Sequence, residues 1–197
     1  MKKDLLKNGK FDLDRVLFSQ RQLFLYEEVG QEVVEELVKK IIVLEQIKVA
    51  PIILHINSPG GSVTDGFALI DTLLSVNSPI ITVVSGEAAS MAGLISVVGN
   101  TRYMTENSVW MGHDMAGGVW GDYTTKVIDR VAFLKRLQEQ STRLLSTHTK
   151  LTPDDLLKAT HGELWLSPAE CLEKGMIDDI ITNSVINRTP KAKRSKK

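Results

Sequence analysis

Ser90 stands in the run Gly86-Glu87-Ala88-Ala89-Ser90-Met91-Ala92-Gly93, where an apolar stretch and a glycine give way to small and apolar residues. If that change is from strand to helix, the helix N-terminus aims backbone N–H groups and the positive end of its dipole at whatever the hydroxyl attacks. The small neighbours leave room for a carbonyl to approach. The arrangement is akin to a nucleophile elbow, although the Gly-x-Ser-x-Gly pattern is not met. The same serine would serve equally as the N-cap of a tightly packed helix. Local chemistry leaves nucleophile and cap both open.

Upstream, Ser58-Pro59-Gly60-Gly61 closes an apolar stretch, at the place where parallel α/β sheets tend to carry their sites. Pro59 fixes one torsion, and two glycines free the backbone to turn N–H groups inward, as an oxyanion hole requires. A plain turn fits as well. A phosphate cradle fits poorly, because the lysine and Ser/Thr of a P-loop are missing. A serine nucleophile needs a base, and there are four histidines: His55, His113, His148 and His161. His55 interrupts a buried strand, His148 falls in the last turn of a helix and His161 in a short polar loop. His113 ends Val109-Trp110-Met111-Gly112 before a glycine loop, which favours it. For the third member, Asp114 adjoins His113 but faces the other way if the strand continues, whereas Glu163, in a loop before Leu164-Trp165-Leu166, is free to reach in.

The elements that must hold these residues alternate. Leu23–Tyr26 reads as a short strand, and apolar pairs at Val33/Val34, Leu37/Val38 and Ile41/Ile42 recur with helical spacing. Pro51–Asn57 reads as a buried strand feeding a turn and a helix through Phe67, Leu69, Ile70, Leu73 and Leu74. The cycle repeats with a strand at Ile80–Ser85, a turn at Gly86 and a helix over about Ser90–Val98. Strands at Arg102–Met104 and Val109–His113 lead to the glycine-rich loop Ala116–Gly121, then to one long helix over about Asp122–His148. Short helices open at Thr152-Pro153 and at the capping box Ser167–Glu170, the second ending at Gly175, with a last strand at Ile177–Thr182. Such alternation predicts parallel, buried strands in one α/β domain over residues 1–183.

The chain has 197 residues, with 24 Lys+Arg against 24 Asp+Glu, so no charge excess steers it towards nucleic acid or an anionic membrane. No run approaches the length of a membrane span, and the first ten residues lack the apolar core of a secretory signal. The single cysteine, Cys171, excludes an internal disulfide and any multi-cysteine metal site, and fits a reducing, cytoplasmic setting. No cofactor or metal is implied. Six of the residues Arg188–Lys197 are basic, so 184–197 reads as a solvated, disordered tail.

Taken in order, Ile56–Thr64, Ala88-Ala89-Ser90-Met91, Met111-Gly112-His113 with Gly117-Gly118, Leu166–Glu170 and Gly175–Asp178 resemble the proteolytic subunit of the Clp protease (ClpP). The likeness covers roughly residues 15–182. It implies a crotonase-like spiral of repeated β-β-α units with the long helix as a handle joining two rings. It further implies a homo-oligomeric barrel, commonly a tetradecamer of two heptamers, that takes unfolded polypeptides from an AAA+ ATP-driven unfoldase. Carried over position by position, the nucleophile falls on Ser90, the base on His113, and the oxyanion-hole N–H groups on Gly60 or Gly61 and Met91.

The third member departs from that pattern: the family's aspartate falls on Glu163, one methylene longer. Asp114-Met115 replaces the usual Gln-Pro, the stretch 99–102 is about two residues short, and the basic tail lies outside the pattern. The resemblance therefore implies a serine endopeptidase. The alternative it carries is a catalytically weak or inactive ring subunit. Two more distant alternatives are a Ser–Lys signal-peptide-peptidase-like enzyme, disfavoured by His113 in register, and an acyl-CoA hydratase on the same spiral, disfavoured by Ser90 with His113.

Overall fold

The computed structural model describes residues 6–7, 10–115 and 123–182. The glycine-rich loop and the basic tail predicted above lie outside the described residues, at 116–122 and 183–197. A small hairpin of β1 (Leu6–Lys7) and β2 (Lys10–Phe11) precedes α1 (Leu13–Ser19), which Asp12 caps by accepting from Arg15 N at 3.1 Å. Neither the hairpin nor α1 is expected from the sequence, whose polar start shows no clear period.

The body alternates as predicted: β3 (Gln22–Leu25), α2 (Gln31–Ile47), β4 (Ile52–Ser58), α3 (Val63–Ser75), β5 (Ile80–Ala89) and α4 (Met91–Ser96). Along β4 the even-numbered residues Ile52, Leu54, Ile56 and Ser58 are buried, and the residues between them are half-buried, the signature of a strand covered mainly on one face. Against that face pack Val34, Leu37, Ile41 and Leu44 of α2 and Leu69, Ile70 and Leu73 of α3, each recurring at the three- and four-residue spacing of a helix stripe. Fully burying one such aliphatic side chain contributes about 1.5–3 kcal/mol.

After β6 (Thr101–Thr105) and β7 (Val109–His113) come α5 (Thr124–His148), α6 (Pro153–His161), β8 (Glu163–Leu166), α7 (Pro168–Glu173) and β9 (Asp179–Ile181). The 25 residues of α5 reach about 37 Å at 1.5 Å per residue. The predicted capping box of Ser167 with Glu170 is present, and Thr152, expected only as a cap before Pro153, forms a second one with Asp155. Gly175, at φ 61°, ends α7 as expected.

One seven-stranded sheet runs β3-β4-β5-β6-β9, with β7 attached to β5 and β8 to β7. Within this sheet, among the described residues, only β7–β8 is antiparallel. Two sequence expectations need correction. The strand predicted to end at Ser85 continues to Ala89, and Gly86 lies inside it. The cause is a change of partner: β5 pairs with β6 through residues 81–84 and with β7 through 87–89, while its register against β4 shifts and resumes at Ser58 opposite Ala88. The second correction concerns Glu163, which is the first residue of β8 and not part of a loop, because pairing to the free edge of β7 extends one residue beyond Leu164.

Candidate active site

β4 delivers the Ser58–Gly61 turn. Ser58, fully buried, donates its hydroxyl to Glu27 O at 2.6 Å and accepts from Gly60 N at 3.2 Å. Val29 N donates to Gly60 O and Ser62 N to Val29 O, both at 2.7 Å, so Val29 bridges Gly61 in parallel fashion. In such a bridge the central residue turns its own N–H away from the partner. The Gly61 N–H is thereby free to face a ligand, whereas that of Gly60 is already spent on Ser58.

The turn also presses on the serine. Gly60 has φ 91°, and a Cβ there would fall 2.6 Å from Ala89 O, 2.7 Å from Ser90 Cβ and 2.8 Å from Met91 N. Only glycine allows that approach.

Ser90 joins β5 to α4 with φ 53° and ψ −122°, a conformation that costs a residue with a side chain about 1–3 kcal/mol. Its N–H is fixed to Met111 O at 2.8 Å. It occupies the N-cap position but makes no side-chain capping bond; instead Oγ lies 2.8 Å from His113 Nε2. Met91 N, the first helical amide of α4, has no acceptor within its own helix. Beneath the serine, fully buried Trp110 donates Nε1–H to Gly93 O at 3.1 Å and ties α4 to β7.

The other histidines stand apart. His55 bonds Gln22 through Nε2 at 3.0 Å and stacks on Phe24 at 4.7 Å, and burial holds its pKa below the ordinary value. His148, also lowered, by burial first and then by the charge of Arg102, closes α5. His161 Nδ1 meets Thr160 Oγ1 at 2.9 Å.

Glu163 is the direct cross-strand partner of His113. Its carboxylate nevertheless accepts from Trp165 Nε1 at 3.0 Å, and no bond joins it to the imidazole. Asp114 donates its N–H to Gly162 O at 3.3 Å, while its own Oδ1 accepts from Met115 N at 2.8 Å.

Ser90, His113, Gly60, Gly61 and Met91 open into one cavity of about 460 Å³. Its far side is formed by α5 and α6 through Gln138, Ser141, Leu145, Ala159 and Thr160, which sequence reasoning did not single out. The signal was there: Gln138, Ser141 and Leu145 fall at i, i+3 and i+7, so two polar residues share the helix's inward stripe.

With Ser–His contact, candidate donors and cavity in place, the comparisons with known proteins are specific. The Clp protease family model matches residues 7–184. The chain is 33% identical over 175 residues to the ATP-dependent Clp protease proteolytic subunit 1 of Chlamydia trachomatis, spanning 86% of this chain and 90% of that protein. It is 32% identical to the corresponding subunit of Chlamydia muridarum over the same 86% and 90%. To the ATP-dependent Clp protease proteolytic subunit of Leuconostoc citreum it is 31% identical over 183 residues, 90% of this chain and 92% of that protein.

Proposed function

Because the chain belongs to the Clp protease family, a family of serine peptidases, we propose that it hydrolyses peptide bonds in unfolded polypeptides with Ser90 as nucleophile and His113 as general base. The observation that carries this reading is the 2.8 Å contact between Ser90 Oγ and His113 Nε2 at the mouth of a substrate-sized cavity.

With Nε2 unprotonated, the imidazole takes the Ser90 proton as Oγ attacks the carbonyl. The N–H groups of Gly61 and Met91 hold the oxyanion; losing one such donor typically costs about 2.7–4 kcal/mol of transition-state stabilisation. His113 then protonates the departing amine, and water hydrolyses the acyl-enzyme by the same route in reverse. Glu163 completes the triad by leaving Trp165 for His113 Nδ1.

The relatives are named as ATP-dependent Clp protease proteolytic subunits. In line with the expectations that accompany the family resemblance, we further propose that the chain works in the cytoplasm as a homo-oligomer of two stacked rings, a tetradecamer, fed by an AAA+ unfoldase. The outward residues Ile128, Val131 and Phe133 of α5, all exposed here, suit a ring-to-ring contact.

A fluorophosphonate probe followed by peptide mapping tests the chemistry: label at Ser90, lost in Ser90→Ala together with peptidase activity, is expected. Retained hydrolysis in Ser90→Ala would overturn it. One observation favours a second reading, that of a catalytically weak ring subunit: the Glu163 carboxylate is engaged by Trp165. Labelling without turnover in the assembled protein would select that alternative.

A further inference from the structure

The chain balances 24 Lys+Arg against 24 Asp+Glu, but the cavity at Ser90 does not share that balance. Two acidic residues, Glu28 and Asp114, are among those that line it, and no lysine or arginine is, among the described residues. The stretch 116–122, which follows the lining residue Met115, holds no lysine or arginine in its sequence either. Both acids are exposed, so they stand at the rim where substrate enters.

The two acids flank the reacting centre from different sides. Glu28 precedes Val29, the bridge partner of Gly61, and its Cγ is so near that a Cβ on Gly61 would meet it at 2.9 Å. Asp114 follows His113. Its N–H donates to Gly162 O at 3.3 Å and its Oδ1 accepts from Met115 N at 2.8 Å, which leaves Oδ2 for another donor. Among the described residues neither acid forms an ion pair. One carboxylate therefore lies beside the oxyanion donor and one beside the base, over apolar walls that include Val63, Met91, Leu94 and Trp110. A cleft that carries charge of one sign above low-dielectric walls concentrates the potential and draws in the opposite charge.

We propose that Glu28 and Asp114 are specificity-determining residues, through which the site favours polypeptide segments with lysine or arginine within two residues of the attacked bond and disfavours acidic ones. The long side chains of those residues suit the place, because their stems lie along apolar surface while the charged head stays at the wet rim. Exposure of both acids keeps the selection moderate and makes it sensitive to salt.

This inference rests on the peptidase reading of the same site. The test is cleavage of peptides identical except for Lys, Gln or Glu, placed in turn at each of the two positions on either side of the scissile bond. It is run on the full chain, on Glu28→Gln and Asp114→Asn, and on the double variant, with circular dichroism to verify folding and fluorophosphonate labelling of Ser90 alongside. Asn at 114 retains an oxygen to accept from Met115 N. At low ionic strength the native chain is expected to prefer Lys to Gln by about fivefold in kcat/KM at one or more of these positions, and to cleave Glu least. The Lys/Gln ratio should fall part of the way in each single variant and to about one in the double variant. It should also approach one in about 1 M salt, where screening sets in beyond about 3 Å. Because the readout is a ratio, a general loss of rate does not disturb it. Protection of Ser90 from the probe by the same peptides gives the ratio independently of turnover.

A Lys/Gln ratio at or below one at every position in the native chain, or a ratio that the double variant leaves unmoved, overturns the inference, while labelled Ser90 leaves the peptidase reading standing. Absence of both cleavage and labelling overturns the peptidase reading, and the assignment of the two acids falls with it.

Discussion

Glu163 faces His113 directly across the β7–β8 pair, yet its carboxylate is held by Trp165 two residues along the same strand. Side chains at i and i+2 share a strand face, so indole and imidazole compete for one acid. Trp165→Phe keeps the aromatic bulk and removes the N–H. It should raise kcat with little change in KM. Glu163→Gln should lower kcat by about 10²–10⁴-fold, as losing a triad acid does. Equal activity of Glu163→Gln and the native chain would exclude Glu163 from the triad.

Gly60→Ala should be severe although glycine contributes no side chain. Its Cβ would drive into Ala89 O, Ser90 Cβ and Met91 N, all backbone or site atoms with little freedom to move. A loss of at least about 10²-fold in kcat, comparable to removal of an oxyanion donor, is expected from steady-state kinetics.

Trp110→Phe removes one of two side-chain donors to Gly93 O inside α4; the Ser96 hydroxyl, at 2.7 Å, remains. Losing one such hydrogen bond costs about 0.5–1.5 kcal/mol, and each kcal/mol moves Tm by about 2–4 °C in a domain of this size. Thermal unfolding should show a lower Tm, and the Ser90–His113 contact should loosen with it, since Trp110 ties α4 to β7.

Acid should weaken the junction between α6 and α7. The Lys174 ammonium, 2.8 Å from Asp155, lowers that carboxyl to about 2, helped by Thr152. A carboxyl depressed in the folded state adds stability above the ordinary carboxylate range near pH 4, and that stability is lost as pH falls towards about 2. Asp155→Asn should flatten the acid limb of Tm against pH, with little effect on its shape above pH 6.

Ile128→Glu places a charge at a position 63% exposed on α5. Analytical ultracentrifugation should show the proposed double ring reduced to single rings, with peptidase activity falling in parallel. An unchanged sedimentation coefficient would remove α5 from the ring contact.

Much of this arrangement is legible in the residues because it depends on local period and local chemistry. The apolar run Ile52–Ile56 has one covered face, the α2 and α3 stripes repeat at helical spacing, and Ser167 with Glu170 announces its own cap. Ser90 and His113 are recognisable for the same reason: each terminates a strand beside glycine or small residues. What escaped depends on pairing between distant segments. The extension of β5 through Gly86 follows from where β7 docks, and the entry of Glu163 into β8 from the free edge that β7 offers. Neither partner is visible in the local run. Gln138 and Ser141 escaped because a polar residue on an amphipathic helix usually faces water, and only the meeting of α5 with α6 turns these two inward.

The forked course of β5 gives Ser90 and His113 a common chassis. Strand β7 is laddered to the last residues of β5, and the Ser90 amide is itself bonded to Met111 O, two residues before His113. Nucleophile and base are thus spaced by backbone and move together, whereas the Glu163 carboxylate, although its backbone is laddered to β7, is turned to Trp165, and Gly61 sits on the turn that follows β4. Covalent reactivity and turnover consequently have different structural requirements. An electrophile that needs only the serine and its base would count every folded subunit, and substrate would count only those in which the outlying groups have also come to register. The gap between the two counts measures how much of a preparation is idle.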